Sequence, residues 1–189
     1  TTLADGSRAR RSGYVTEARS LEADGGFARK GLLVQPWIAL LNHTRNNRVW
    51  QEQSVIDIVE DVFADHASIA AWRWDDDVTH HVAAGLHSPT EGTRKYCVQY
   101  RESDLDFVQR LLAEEGLSWR VEEDAAAPGG HTIVIFANSL SQPQDPSSGT
   151  LLGGKGIRFH RSSSQEEQDS IQALGAWRQL GQAGGSMGT

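Results

Sequence analysis

Only one cysteine, Cys97, occurs in the 189-residue sequence, so no intrachain disulfide can staple the fold. A reducing compartment is compatible with that count. No apolar run approaches the roughly 20 residues that a helical membrane span requires, and the first residues carry no signal-peptide pattern. Positive charge is in deficit. Eighteen Lys and Arg stand against 25 Asp and Glu, a formal net charge of −7, which argues against a nucleic-acid-binding surface as the main role. A Gly-x-Ser-x-Gly elbow, a phosphate loop and a dinucleotide fingerprint are also missing. Gly153-Gly154-Lys155-Gly156 lacks both the spacing and the following Ser or Thr that a phosphate cradle needs. The length suffices for one large or two small domains with their own cores. Because the sequence starts at Thr1 rather than Met, an excised piece of a longer product is expected.

What is present concentrates in residues 94–121. Tyr96 to Tyr100 reads as a strand, and Ser103 is placed to cap a helix whose first turn holds Asp104 and Asp106. Leu105, Phe107, Val108, Leu111 and Leu112 supply an apolar stripe of helical period, and Gly116 supplies the left-handed residue that ends it. Leu117, Trp119 and Val121 then alternate with polar residues as in a half-buried strand.

Upstream, residues 1–12 are polar, Arg-rich and expected to be partly disordered. Tyr14 to Leu21 and Phe27 to Val34 flank the Ala23-Asp24-Gly25-Gly26 turn as a hairpin. Pro36 opens a short helix through Leu41. Asn46-Asn47 marks a turn before a strand from Arg48 to Gln51. Ser54, with Asp57 three residues on, caps a second helix. Val55, Ile58, Val59, Val62 and Phe63 form its one apolar side, so it is expected to pack on a sheet.

Ser68 to Asp77 reads as a strand, Gly85 to Gly92 as a loop, residues 127–130 as a turn and Thr132 to Ala137 as a strand. Residues 139–156 read as a long loop, Ile157 to His160 and Ser170 to Leu180 as final strands, and the end from Gly181 as a tail. Together these give an α+β fold of mainly antiparallel strands with two or three inserted short helices. Lys30 to Gln35, a short helix and Val49-Trp50 also echo Lys95 to Gln99, a helix and Ser118-Trp119, as if strand, helix and strand were used twice.

Several residues invite a chemical reading. His80, His81 and His87 lie near Asp75-Asp76-Asp77, but adjacent histidines in a strand point to opposite faces, and zinc sites use spaced ligands. A solvated loop and hairpin edge is the simpler reading. No calcium-loop pattern with its terminal Glu follows the aspartates. Cys97 as a nucleophile competes with Cys97 as a small buried strand residue, and the second is preferred. Asp104, Asp106, Glu114 and Glu115 resemble catalytic carboxylates, yet acids near a helix start are explained by capping and the dipole. The six tryptophans, at 37, 50, 72, 74, 119 and 177, read as core or interface anchors before a ligand platform. No catalytic, cofactor-binding or metal-binding residue is assigned, and no enzyme activity is expected.

The run Val98-Gln99-Tyr100-Arg101-Glu102-Ser103-Asp104, then Phe107, Arg110-Leu111-Leu112 and Glu114-Glu115-Gly116, resembles the VgrG spike proteins of type VI secretion. More widely, it resembles the phage baseplate hub family. Gly13-Tyr14-Val15-Thr16-Glu17, Asp24-Gly25-Gly26, Val34-Gln35-Pro36-Trp37, Asn47-Arg48-Val49-Trp50-Gln51 and Ser54-Val55-Ile56-Asp57-Ile58 follow the same family upstream. Ile157-Arg158-Phe159-His160 with Glu166-Glu167 and Asp169-Ser170-Ile171 extends the match, in order, to about residue 178.

The resemblance implies barrel-like modules: residues 1–53 the end of a first hub barrel, 54–93 a helix and connecting segment, 94–180 a second barrel and 181–189 a tail. It implies a structural protein, homotrimeric when intact, which adapts a threefold needle to a sixfold tube. Its implied partners are the hexameric Hcp-like tube protein, baseplate components and effectors. Implied too is assembly in the cytoplasm followed by secretion or delivery into a target cell. Relative to that family the sequence lacks the opening of the first barrel. After Met187 it also lacks the later hub segments, the oligonucleotide-fold-like domain and the needle. Abnormal self-association through an exposed strand edge is therefore expected. A contractile phage tail hub, or a secreted hydrolase or toxin domain, are the alternatives.

Overall fold

The computed structural model describes residues 10–24, 27–84, 92–143, 171 and 173–175. Chain order is β1 (Tyr14–Asp24), β2 (Phe27–Gln35), a 3-10 helix (Trp37–His43), β3 (Arg45–Trp50), β4 (Gln53–Ser54) and α1 (Val55–Ala64). Next come β5 (Trp72–Trp74), α2 (Val78–Ala83), β6 (Thr93–Arg94), β7 (Cys97–Ser103), α3 (Asp104–Glu114), β8 (Ser118–Glu123), β9 (His131–Phe136) and a short 3-10 turn (Ser139–Ser141). The fold is α+β and mainly antiparallel. β1 pairs with β2, β3 with β7 and β4 with β6, while β9 lies between β5 and β8.

Both anticipated helix caps are made. Ser54 Oγ accepts the Asp57 N–H and the Asp57 carboxylate accepts the Ser54 N–H, a reciprocal box that satisfies donors the helix cannot. Ser103 Oγ accepts the Asp106 N–H at 3.0 Å. α3 stops where Gly116 takes φ of 70° and the Leu117 N–H turns back to the Leu112 carbonyl at 2.7 Å.

The apolar faces of α1 and α3 meet in one core that also takes in Trp37, Trp50, Val78, Cys97, Leu117, Ile133 and Ile135. Trp37, Phe63 and Trp72 pack as an aromatic group with centroids 4.9 to 6.4 Å apart, and Trp50 stacks on Phe107 at 5.1 Å. Residues from each of the three anticipated segments, 1–53, 54–93 and 94–180, contribute to this core.

Several elements depart from the sequence reading. Asn46-Asn47 lies within β3 instead of forming a turn, because each amide has a tertiary partner: Asn46 reaches Asp104 and Asn47 accepts the Arg101 N–H. β7 begins at Cys97 rather than Tyr96 and continues to Ser103, past a bulge at Arg101 where φ is 52°. Of Ser68 to Asp77 only Trp72–Trp74 is strand. That strand runs parallel to β9, with Trp72 opposite Ile133. The near-continuous apolar run of β9 explains this: His131 to Ile135 are all buried, as suits a central strand covered on both faces.

His80 and His81 sit in the helix α2, not in a strand or hairpin edge. The helix anticipated from Pro36 to Leu41 is a 3-10 helix over Trp37–His43, with Pro36 extended at its N-cap. The two echoing segments each form strand, helical element and strand, yet β3 of the first pairs with β7 of the second. His87, Trp177, residues 157–160, most of 139–156 and of 170–180, and the tail lie outside the described residues.

Candidate functional site: a sheet face and the polar network behind it

The β3–β7 ribbon alternates as a strand pair must, with Trp50, Cys97 and Gln99 buried and Val49 and Tyr100 on the other face. Val49 stands opposite Val98 and is 54% exposed, and Tyr96 and Tyr100 are 60% and 63% exposed. The Arg101 guanidinium lies 5.2 Å from the Tyr100 ring centroid. The bulge that aims Arg101 there is held by its N–H, which donates to Asn47 Oδ1 at 3.0 Å.

Behind this face lies Asp104, which the sequence reading placed with the exposed acids of a first helical turn. It is fully buried. Gln99 Nε2 donates to it at 2.6 Å and Asn46 Nδ2 at 3.0 and 3.2 Å. His66 Nε2 lies 3.3 Å away and Arg48 Nη2 3.7 Å. A carboxylate out of water is tolerable only when paired and hydrogen-bonded, and here β3, β7 and the end of α1 converge to do so. Asp106, by contrast, is exposed and serves the cap.

A second network runs along β7. Arg110 donates to the Val98 carbonyl at 3.1 Å, to Glu102 at 2.6 Å and to Glu114 at 3.1 Å, while Arg94 reaches Glu114 at 2.6 Å and Glu115 at 2.5 Å. A guanidinium on a backbone carbonyl blocks that position against strand addition. Burial works to raise the Glu114 pKa, but bonds from Arg94 and Arg110 outweigh it and hold the carboxyl below its ordinary range. The Glu102 bond, with Glu114 adding to it, raises the Arg110 pKa further. Burial pushes the Cys97 thiol up, which disfavours the reactive thiolate. Glu114 and Glu115 are therefore held by arginines rather than set against each other.

The remaining candidates scatter. His80 and His81 are exposed, and His81 Nε2 bonds the Glu115 carbonyl at 2.7 Å. Asp75 is held below the ordinary carboxylate range first by the Gln142 amide, and Asp77 accepts the Ala137 and Asn138 N–H groups. Glu122, whose burial opposes ionisation, is pulled down by Arg73 and Arg120. Among the described residues no three His, Cys, Asp or Glu gather to hold a metal ion.

Shallow hollows among the described residues include two on the surface. One is lined by Leu112, Leu117 and Trp119, the other by Glu17, Arg19 and Leu32. Trp37 and Trp50 are core, Trp72, Trp74 and Trp119 pack partly against it, and the indole of Trp74 donates to Glu60. His131 escaped the sequence reading: fully buried, it accepts the Trp37 N–H through Nε2 at 2.9 Å, so Nδ1 carries the proton toward the Gly129 carbonyl at 2.9 Å. The exposed tyrosines were legible in part, since they alternate with Cys97 and Gln99.

Apart from these stands the β1–β2 hairpin. Val15, Leu21, Leu32, Leu33 and Val34 are each about half or more exposed, between 47% and 60%, and neither strand pairs with any other described strand. Such apolar surface on both strands is characteristic of an interface.

Comparison with known proteins decides the lineage. The sequence matches the family described as phage tail baseplate hub (GPD) over residues 1–184. The chain belongs to that family. Among curated relatives, the type VI secretion system spike protein VgrG1b of Pseudomonas aeruginosa is 34% identical over 144 residues, 76% of this chain and 17% of that protein. The actin cross-linking toxin VgrG1 of Vibrio cholerae is 31% identical over 126 residues, 65% of this chain and 10% of that protein. A solved E. coli component of the type VI secretion system is itself described as structurally similar to the bacteriophage T4 tail proteins gp27 and gp5. It superposes with a TM-score of 0.55 at 25% identity, over 70% of this chain and 34% of that one. The hub chain thus spans less than a fifth of the curated relatives' length. The motif residues Gln99, Glu102, Ser103, Asp104, Arg110, Glu114 and Glu115 all take part in its polar networks and the α3 cap.

Proposed function

We propose that the chain is a structural part of the hub of a type VI secretion spike, a scaffold rather than an enzyme. The observation that carries this reading is the family match over residues 1–184, joined by spike-protein relatives that align with it over most of its length. Three copies of the parent protein form a base that adapts a threefold needle to a sixfold ring of Hcp-like tube protein, with baseplate components and effectors as further partners. The parent assembles in the cytoplasm and is then delivered. No described helix is long and apolar enough to cross a membrane.

Physical chemistry supports a scaffold. Glu102, Asp104, Arg110, Glu114 and Glu115 of the motif are spent on internal pairing, while apolar side chains of β1, β2, β3 and β7 face outward. Obligate assemblies bury about 2,000 Å² or more, and exposed strand surface supplies such area where a cleft cannot. The toxin relative shows that a spike protein carries further activities. Its alignment covers 10% of that protein and coincides with the hub segment here, so the scaffold reading is preferred for these residues.

The test is purification of the intact parent protein with its tube protein. A trimer that retains the tube protein in a pull-down is expected. A parent that stays monomeric at high concentration and retains none would overturn the reading.

A further inference from the structure

We infer that the outer face of the β3–β7 ribbon docks head to tail on the acidic stripe of α1 in a second copy of this chain. The inference rests on the hub reading in taking copies to assemble, and it names the surfaces that meet.

Charge is what selects the occupant. Beyond the hairpin and the N-terminal segment, the described cations without an acidic partner are Arg45, Lys95 and Arg101, all exposed and all on or beside this ribbon. They flank an apolar centre of Val49, Tyr96 and Tyr100. Such a centre with a cationic rim, on a chain of net charge −7, calls for a partner rimmed with carboxylates.

The chain carries that partner itself. Asp57, Glu60 and Asp61 fall on one side of α1 at helical spacing and are exposed. Their hydrogen-bond partners are neutral: Ser54 for Asp57, the Trp74 indole for Glu60 and the Trp50 indole for Asp61. Their negative charges therefore go uncompensated within one copy, just as the ribbon's positive charges do. Since the two faces differ, the contact is heterologous, and repetition closes a ring when the rotation permits.

Sedimentation of the full chain, with charge-reversed variants, tests this. Wild-type chain should self-associate and dissociate as salt approaches ~1 M, where the screening length falls to about 3 Å. Lys95→Glu with Arg101→Glu should weaken association by about tenfold or more, and so should Glu60→Lys. Mixing the two variants should restore association, because each retains the face the other has lost. Arg10→Glu with Arg11→Glu, two exposed arginines of the N-terminal segment, shifts net charge equally and should leave association unchanged. Circular dichroism and thermal unfolding of each variant confirm folding. A wild-type chain that stays monomeric overturns the inference. So does unchanged association of the ribbon variant, failure of the mixture to associate, or equal weakening by the N-terminal variant. None of these outcomes touches the hub reading, which stands or falls with the parent protein's trimer and its retention of tube protein.

Discussion

The β1–β2 hairpin and the β7–α3 unit are both built from strands with exposed apolar side chains, yet they hold together by opposite means. In β7–α3 the buried Asp104 is met by Gln99 from the unit itself and by Asn46, Arg48 and His66 from the core elements packed on it, and the helix drives Phe107, Val108, Leu111 and Leu112 into the common core. The hairpin has a ladder and little else. Among the described residues its links to the core include the Tyr14 ring edge-on to His131 at 6.3 Å, the Tyr14 hydroxyl on the Ile69 carbonyl at 3.4 Å, a Ser12 to Glu123 contact, and the Trp37 to His131 bond just beyond β2. An isolated two-stranded hairpin is marginal in water. The β7–α3 unit has its stabilising partners within the shared core, whereas the hairpin's apolar residues gain their full value only against another surface.

The sharpest way to break this contrast is Asp104→Ala. It leaves Arg48 without one of its acidic partners and the buried Gln99 amide with only its 3.4 Å bond to the Glu102 carbonyl, and should cost about 3–5 kcal/mol in denaturant unfolding. His131→Ala should cost less, about 1–3 kcal/mol, since it orphans the Trp37 N–H. That change should also raise hydrogen exchange at the base of β2 more than in α3, because the lost bond lies where the hairpin joins the core.

Acid separates the two regions more finely. Glu114 has a folded pKa below its ordinary value of about 4.3, so its stabilisation is fully present above that pH and is lost as pH falls through the lower folded value. Glu114→Gln should therefore flatten the acid limb of the stability curve. Glu17 is also lowered, by its bond to Arg19, but is fully exposed, so Glu17→Gln should leave that limb unchanged. The smallest effect is predicted for Leu32→Ser. Exposed by 60%, Leu32 should shift chain stability by no more than about 0.5 kcal/mol in thermal unfolding. A large loss there would mean the hairpin already packs on the core.

Local chemistry was the legible part of this fold. Ser54 with Asp57, Ser103, the apolar stripe of α3 and Gly116 act within a few residues of themselves, and each holds as read. What escaped is decided across the chain. Asn46-Asn47 has the composition of a turn, but Asp104 and the bulge at Arg101 recruit it into a strand. The helix α2 is only six residues long, and its histidines gave no periodic signal. Asp104 reads as a dipole acid because its partners Asn46, Arg48 and His66 lie 38 to 58 residues away. His131 is invisible for the same reason, its partner Trp37 being 94 residues distant. The parallel pairing of β5 with β9 likewise depends on burial of β9 from both sides.

Hydrogen exchange read on residues 14–35 and 97–117, in the chain alone and in the assembled parent protein, tests the scaffold account most directly. The account predicts rapid exchange in the hairpin of the isolated chain and strong protection after assembly, with 97–117 protected in both states. A hairpin that exchanges equally fast once assembled would contradict it.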